Sequence, residues 1–590
     1  MAFYQNKIFT PSLNGVFSID ILSGKVLSRF GTEPTQIPPV FEKNQIYIAN
    51  NGSIESYDLE SNKKNWRFNL TKDGVNARIW SGFSYDKKTN LLFAVTSDTG
   101  FTYDSDIKDG GYSNSVLAIN AKTGQLVWQF QEIKHDLWDL DIVGQPIIAD
   151  IKIGGKLIPS VLAVSKSGNV LHLNRLSGKP IHETKIIALP KYDDESKFAS
   201  REQLLFEKPT PFSKNSFDLI HDISNLTPEK KKYIEFKLRH AVSRPFLPVT
   251  TKYDVVYFGI HGGAEWPGAT LDPKRSLLVV PSNSYPWILR ARHFAKDEEK
   301  IKSLSRKNLT YISKCASCHG NNLRGAYLKE SDGDLYFPSL VRISNYADKE
   351  KLLSLDEFKS NHRYISNISK NNLNLIFEKV SNDNEKENFF KKILLHFGIL
   401  KIFENEKIDY SKINIHEFIN SITKKDLNEV YLLFTKIQEE FPDEDDYGVQ
   451  SFWQLVLDQD GLPGSNPPWG YITAIDLKTG LLKWKKPFGL AHDKNSHKSY
   501  PGDMNFGGLM TTAQGIVFAN GTRDSYARAY DIENGEELWR AKLPASGSSP
   551  PMSYKINGCQ FILFNATGGI FFGYKNISDS IVAFKLNNCK

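Results

Sequence analysis

One pattern returns six times in this chain: an apolar strand, an Asp or Asn, a short turn that usually ends in Gly, and a second strand. It reads FSIDILSGKVLS from Phe17, ESYDLESNKKNW from Glu55, LAINAKTGQLVW from Leu117, LHLNRLSGKPIH from Leu171, TAIDLKTGLLKW from Thr473 and RAYDIENGEELW from Arg528. Asp20, Asp58, Asn120, Asn174, Asp476 and Asp531 start the turns, where a short polar side chain bonds neighbouring backbone. In four copies a Trp stands eight residues further on: Trp66, Trp128, Trp484 and Trp539. Alternating apolar residues on both sides make each copy an antiparallel hairpin. Repeated units of this size in a long chain predict an all-β propeller, with the recurring Trp docking one blade on the next.

Two stretches break the pattern. Between Arg175 and Pro245 the strand signal weakens, and Ser196 to Ser216, rich in Lys, Glu and Pro, predicts a long surface excursion. After Arg292 the composition changes: from Ala295 to about Asp446 there is no Trp, little Gly and much Lys, Glu, Asn and Ile. Ile301, Leu304 and Ile312, then Leu427, Val430, Phe434, Ile437 and Phe441, recur at helical spacing. Residues 293–446 are therefore predicted to be a helical domain inserted between two propeller segments, 1–292 and 447–590.

Inside that segment lies Cys315-Ala316-Ser317-Cys318-His319-Gly320. Two thiols three apart with a histidine directly after them form the c-type haem attachment signature. On one tight turn two thioethers reach two vinyl groups of a porphyrin, and the next residue puts an imidazole at the iron. A zinc site would need a second Cys/His pair at ligand spacing, and a redox dithiol has no use for the histidine. The expected cofactor is haem c on Cys315 and Cys318, with His319 on the iron, in an inserted cytochrome c-like domain. No methionine lies in the segment, so His362, His396 and His416 are the candidates for the second axial position.

The net charge of +7 is small for 590 residues, and the Lys and Arg residues are scattered, which argues against a nucleic-acid partner. No apolar run reaches the length of a membrane span. Cys559 and Cys589 are expected to be unpaired. The first residues carry no signal-peptide core, whereas c-type haem is attached outside the cytoplasm. We therefore expect a periplasmic protein whose signal is missing from this chain.

The motifs His261-Gly-Gly-Ala-Glu-Trp-Pro-Gly, His135-Asp-Leu-Trp-Asp-Leu-Asp, Asn466-Pro-Pro-Trp-Gly, Asn505-Phe-Gly-Gly and Ser284-Tyr-Pro-Trp-Ile-Leu-Arg resemble those of the pyrroloquinoline quinone (PQQ) dependent dehydrogenases. The nearest branch is similar to the membrane glucose dehydrogenases, in the subgroup with a cytochrome c inserted in the propeller. The resemblance implies an eight-bladed propeller with PQQ and Ca²⁺ on its axis, oxidising an alcohol or sugar hydroxyl. It also implies electron transfer to the chain's own haem and then to a cytochrome or the quinone pool. By the same resemblance Trp80 is the floor of the PQQ ring, Asp98 and Asp139 are calcium ligands, Asp139 is the catalytic base, and Lys166 is the cation at the quinone oxygens. Glu265, Trp266 and Asn505 are implied to complete the pocket. Chemistry supports these residue types: a base for the hydroxyl proton, positive charge where the quinone gains electron density, and an indole under a flat ring. The family has further sequence before the point matching Met1, so the propeller is expected to be N-terminally incomplete, with a blade starting at Ile8. The family's calcium-binding glutamate loop is replaced by Asn50-Asn51-Gly52-Ser53, a plain hairpin turn. These departures keep open an alternative, a PQQ-less degenerate propeller serving as a haem electron-transfer or binding protein.

Overall fold

The computed structural model describes residues 2–50, 52–97, 111–189, 200–239, 241–249, 253–320, 322–323, 326–328, 335–337, 339–341, 343, 349–362, 419–443, 446–493, 496–569 and 576–585. The chain divides into two compact units: Met1–Val249 with Val255–Leu289 and Leu455–Lys590, and Thr250–Asp254 with Arg290–Gln454.

The repeated motif does what its residues dictate. Among the described residues the chain forms eight sheets of three or four strands, the blades of a β-propeller. In each copy the Asp or Asn ends one strand and its side chain caps the turn. Asp20 Oδ1 accepts from the backbone N–H of Leu22 and Ser23 at 3.2 and 2.8 Å. Asp58, Asn120, Asn174 and Asp531 make the same two bonds, and Asp476 makes the first.

The tryptophans join neighbouring blades. The indole N–H of Trp66 donates to the Ala121 carbonyl at 2.9 Å, that of Trp128 to Arg175 at 3.1 Å, and that of Trp484 to Ile532 at 2.8 Å. Beneath each ring lies the turn glycine of the adjoining blade. A Cβ on Gly124, Gly178 or Gly535 would meet the ring at 2.6, 2.6 or 2.7 Å. Glycine serves twice there, because each also has φ above +70°. His182, eight residues after Asn174, fills the equivalent place against Gly480. A buried Trp withdraws about 150–250 Å² from water, on the order of 4–6 kcal/mol at about 25 cal/mol/Å² before the entropy of ordering is counted.

Two readings of the sequence need correction. Part of the expected surface excursion is built into the fold: Thr184–Ala188 pairs with Glu202–Phe206, and Phe206 and Phe212 are buried. A helix also forms at Pro228–Lys237, capped by Thr227. Its apolar content is small, which hid it. It is held by Ile234, in a core with Phe217, Val256, Phe258, Ile288 and Val456, and by buried Lys230, paired with Asp458 and Asp460 at 2.9 and 2.8 Å.

The second unit carries helices at Glu298–Arg306, Leu309–Lys314, Ala316–His319, Leu355–His362 and Lys424–Glu440. Ile301, Leu304, Ile312, Val430, Phe434, Ile437 and Phe441 form its core with Tyr311, Leu433 and Tyr447. Asp297, Asn308 and Thr423 cap three of the helices, the last through a reciprocal capping box with Asp426. A short hairpin, Ala326–Leu328 with Leu335–Phe337, was not foreseen. Among the described residues no helix is long and apolar enough to cross a membrane.

Candidate functional site

The loop from His135 to Asp141 is shaped by its second residue. Asp136 is buried, and its carboxylate accepts from the backbone N–H of Trp138 and Leu140 at 2.8 and 2.7 Å and from the Asn114 amide at 2.7 Å. Burial, and the charge of Asp141, push its carboxyl up to about 6 against those bonds. The loop turns sharply, with φ of +47° at His135 and +56° at Asp139, a region that Asp tolerates better than most residues. Trp138 anchors it: the indole donates to the Leu247 carbonyl at 2.7 Å, and the Tyr257 hydroxyl donates to the Trp138 carbonyl at 2.8 Å.

This turn delivers Asp139 and Asp141 to one cation. Lys166 Nζ lies 2.8 Å from Asp139 Oδ1 and 2.8 Å from Asp141 Oδ2, and the lysine side chain is only 4% exposed. Burial alone would lower its basicity, but Asp139, Asp141 and Glu265 together hold the ammonium well above the ordinary lysine value. Glu265 is buried close to the same ammonium. Burial, and to a lesser degree the charge of Asp141, push that carboxyl well above the usual range, against the pull of Lys166 and a bond from Asn283.

Close backbone packing gathers the remaining residues. A Cβ on Gly263 would fall 2.1 Å from the Lys166 carbonyl, and one on Gly144 would fall 2.4 Å from Gly268 Cα. The Gly144 N–H donates to Ser81 Oγ at 2.9 Å, tying in the residue after Trp80. Gly263 and Asn283 exchange backbone hydrogen bonds at 3.1 and 2.9 Å. Asn283 Oδ1 accepts from the Asn505 backbone and side-chain amides at 2.9 and 2.8 Å. Thus the loops of Trp80, Asp139, Lys166, Glu265 and Asn505 form one contiguous set. Trp80 and Trp266 keep 44% and 40% of their surface exposed, which leaves indole area for a flat ligand.

Sequence reasoning missed several members. Asp141 shares Lys166 equally with Asp139. Glu132 is buried and accepts from Ser165, Ser167 and Asn169 at 2.8, 2.6 and 2.8 Å. Burial pushes it up to about 7. Arg523 pairs with buried Asp503 and bonds the Tyr285 hydroxyl at 2.9 Å, two residues from Asn505. Asp141 stood in the quoted His135 motif. The others carried no local signal.

Of the expected calcium donors, Asp98 lies outside the described residues. Asn50 to Ser53 closes as a tight hairpin, with Asn50 Oδ1 accepting from the Ser53 N–H at 2.9 Å. Among the described residues no three His, Cys, Asp or Glu side chains cluster as a metal centre.

In the second unit Cys315 packs against the helical core, and its N–H continues the preceding helix to the Tyr311 carbonyl at 2.8 Å. His319 follows one turn later and is buried; Gly320, with φ of +74°, ends the helix. The Tyr311 hydroxyl donates to the Gly320 carbonyl at 2.8 Å and pins that end. The His319 and His362 rings have centroids 6.3 Å apart. His396 and His416 lie outside the described residues.

Comparison with known proteins identifies the family. The family model described as "PQQ: Glucose/ethanol/alcohol dehydrogenase, beta-propeller domain" matches residues 38–323 and 411–562, and the chain belongs to that family. The quinoprotein glucose dehydrogenase of Escherichia coli (strain K12) is 24% identical over 94% of this chain and 58% of its own length. Quinoprotein glucose dehydrogenase A of Acinetobacter calcoaceticus is 26% identical over 91% of this chain and 54% of its own. The chain therefore spans little more than half the length of these curated relatives. Among solved structures, a europium-containing methanol dehydrogenase shares the fold with a TM-score of 0.53 at 14% identity, over 96% of this chain and 73% of that one.

Proposed function

We propose that this chain oxidises a hydroxyl of an alcohol or sugar with PQQ and passes the electrons to a haem c held by Cys315, Cys318 and His319. The observation that carries the reading is the buried Lys166 bridging Asp139 and Asp141 beside the buried carboxyl of Glu265. The residues fit the quinone: a buried cation for its oxygens, glycine-lined loops for close approach, and exposed indole at Trp80 and Trp266, with Asn505 holding the neighbouring loop through Asn283. PQQ, when bound, supplies the acceptor for two electrons. The protein's part is positional and electrostatic. Asp139 accepts the substrate hydroxyl proton, and the ammonium beside it favours the ionised carboxylate that this requires. Lys166 places positive charge where electron density rises, and Trp80 orients the ring. Asp139 and Asp98 are the proposed calcium ligands, and Asp98 lies outside the described residues.

Further proposals follow from the family: a periplasmic location, a small alcohol or sugar as substrate, and a cytochrome or the quinone pool as electron acceptor. The tight Asn50–Ser53 hairpin favours the second reading, a PQQ-free propeller bearing a haem electron carrier. Titration of the full chain with PQQ and Ca²⁺ separates the two. Stoichiometric quenching of tryptophan fluorescence, weakened in Trp80→Ala, and dye reduction with alcohols or sugars are expected. No quenching in protein that carries covalent haem would leave only the carrier reading.

A further inference from the structure

We propose that His362 is the second axial ligand of the haem iron, opposite His319. The inference rests on the haem reading above and goes beyond it, because it fixes what kind of haem this is. The centroid of an imidazole lies about 1.2 Å from its nitrogens and a metal–imidazole bond is about 2.0 Å, so two imidazoles trans on one metal have centroids about 6.3 Å apart. The His319 and His362 centroids are 6.3 Å apart, with ring planes at 71°.

The tautomer is also set. His362 Nδ1 lies 2.8 Å from the Phe358 carbonyl, one turn back on the helix Leu355–His362. A carbonyl only accepts, so Nδ1 carries the proton and Nε2 presents its lone pair. Metal-bound histidines are held this way by an outer hydrogen bond to the other nitrogen. The Phe358 ring stacks on the imidazole at 4.1 Å and 26°, which fixes its plane. Among the described residues no third His, Cys, Asp or Glu joins the pair to make a metal site on its own. Two imidazoles at this separation suit a macrocycle that brings its own four nitrogens between them.

The consequence is chemical. An iron with two protein imidazoles is six-coordinate and closed, so it exchanges electrons without binding small ligands. Methionine opposite histidine raises a haem potential, and a second histidine in its place lowers it. The haem would then be a low-potential relay.

The test uses the full chain matured with covalent haem. Haem staining of denatured protein is the control for attachment, and far-ultraviolet circular dichroism of the native protein is the control for folding, in every variant. Wild type is expected to give a low-spin bis-imidazole spectrum without the long-wavelength charge-transfer band of methionine-ligated iron. His362→Ala should convert the ferric protein to high spin and admit carbon monoxide when reduced, and added imidazole should restore the low-spin spectrum. His362→Met, of similar volume, should gain the methionine band and a higher midpoint potential. If His362→Ala keeps covalent haem and an unchanged low-spin spectrum, the ligand is another residue and the inference falls. If wild-type chain never acquires covalent haem, the haem reading falls first and takes the inference with it.

Discussion

Lys166 sits where burial disfavours charge, and two carboxylates keep it charged. Removing either sign should therefore have unequal effects. Asp139→Asn keeps shape and removes basicity. Turnover should fall by roughly two to four orders of magnitude, the usual share of a general base, while PQQ still quenches fluorescence. Asp136→Asn should act differently. Its carboxylate orders the loop through three hydrogen bonds, so lost stability, read by thermal melting, should accompany any lost rate. Lys166→Met leaves two carboxylates without their buried partner and should destabilise by about 3–5 kcal/mol in urea denaturation. Glu132 sets a pH dependence. Its folded value, about 7, lies above its unfolded value, so the folded state binds the extra proton. Stability from this group is fully present below about 4.5 and is lost as pH rises to about 7, on the order of 3 kcal/mol. Glu132→Gln should flatten that part of the profile between pH 5 and 8. Asp139 and Lys166 were legible because each lies in a long motif. Glu132 was not, because its meaning comes from Ser165, Ser167 and Asn169, more than thirty residues away.

At the scale of elements, the hairpin turn of each blade is a socket as well as a bend. Gly178 and Gly24 stand at the same place in their repeats, with φ of +71° and +67°. A Cβ on Gly24 meets nothing within 4 Å, whereas one on Gly178 collides with Trp128. Gly24→Ala should cost about 1–2 kcal/mol, the price of the left-handed backbone alone. Gly178→Ala should add about 1–3 kcal/mol for the displaced ring. Equal midpoints for the two variants in chemical denaturation would deny the socket. The turns and the Trp offset were plain in the sequence because both are local. His182 was quoted within a repeat but not recognised as the occupant of the Trp position, since nothing in its own strand distinguishes it. The helix Pro228–Lys237 escaped notice for a related reason: one buried isoleucine and a lysine bound to distant aspartates hold it, not a periodic apolar face.

Across the whole chain, the inserted segment closes on itself. The Lys296 N–H donates to the Asp446 carbonyl at 2.9 Å, so residues far apart in sequence meet as they would in a hairpin. Loop closure grows only by about 0.6 kcal/mol per doubling of length, which is how a blade tolerates so long an interruption. Replacing residues 297–445 by a short turn should leave the β-sheet circular dichroism intact and change stability by no more than about 3 kcal/mol. The same closure has a consequence in time. Leu277 to Asn283, the most deeply buried strand of its sheet, pairs with Gly470 to Asp476, about 200 residues later. At about 5–20 residues per second the ribosome takes roughly 10–40 s to deliver that partner. Throughout the wait a strand edge that opens with Leu277, Leu278, Val279 and Val280 has nothing to pair with but other nascent chains. Chains arrested after roughly residue 300 and before 470 should be the aggregating species in translation, and chains released beyond that point should not.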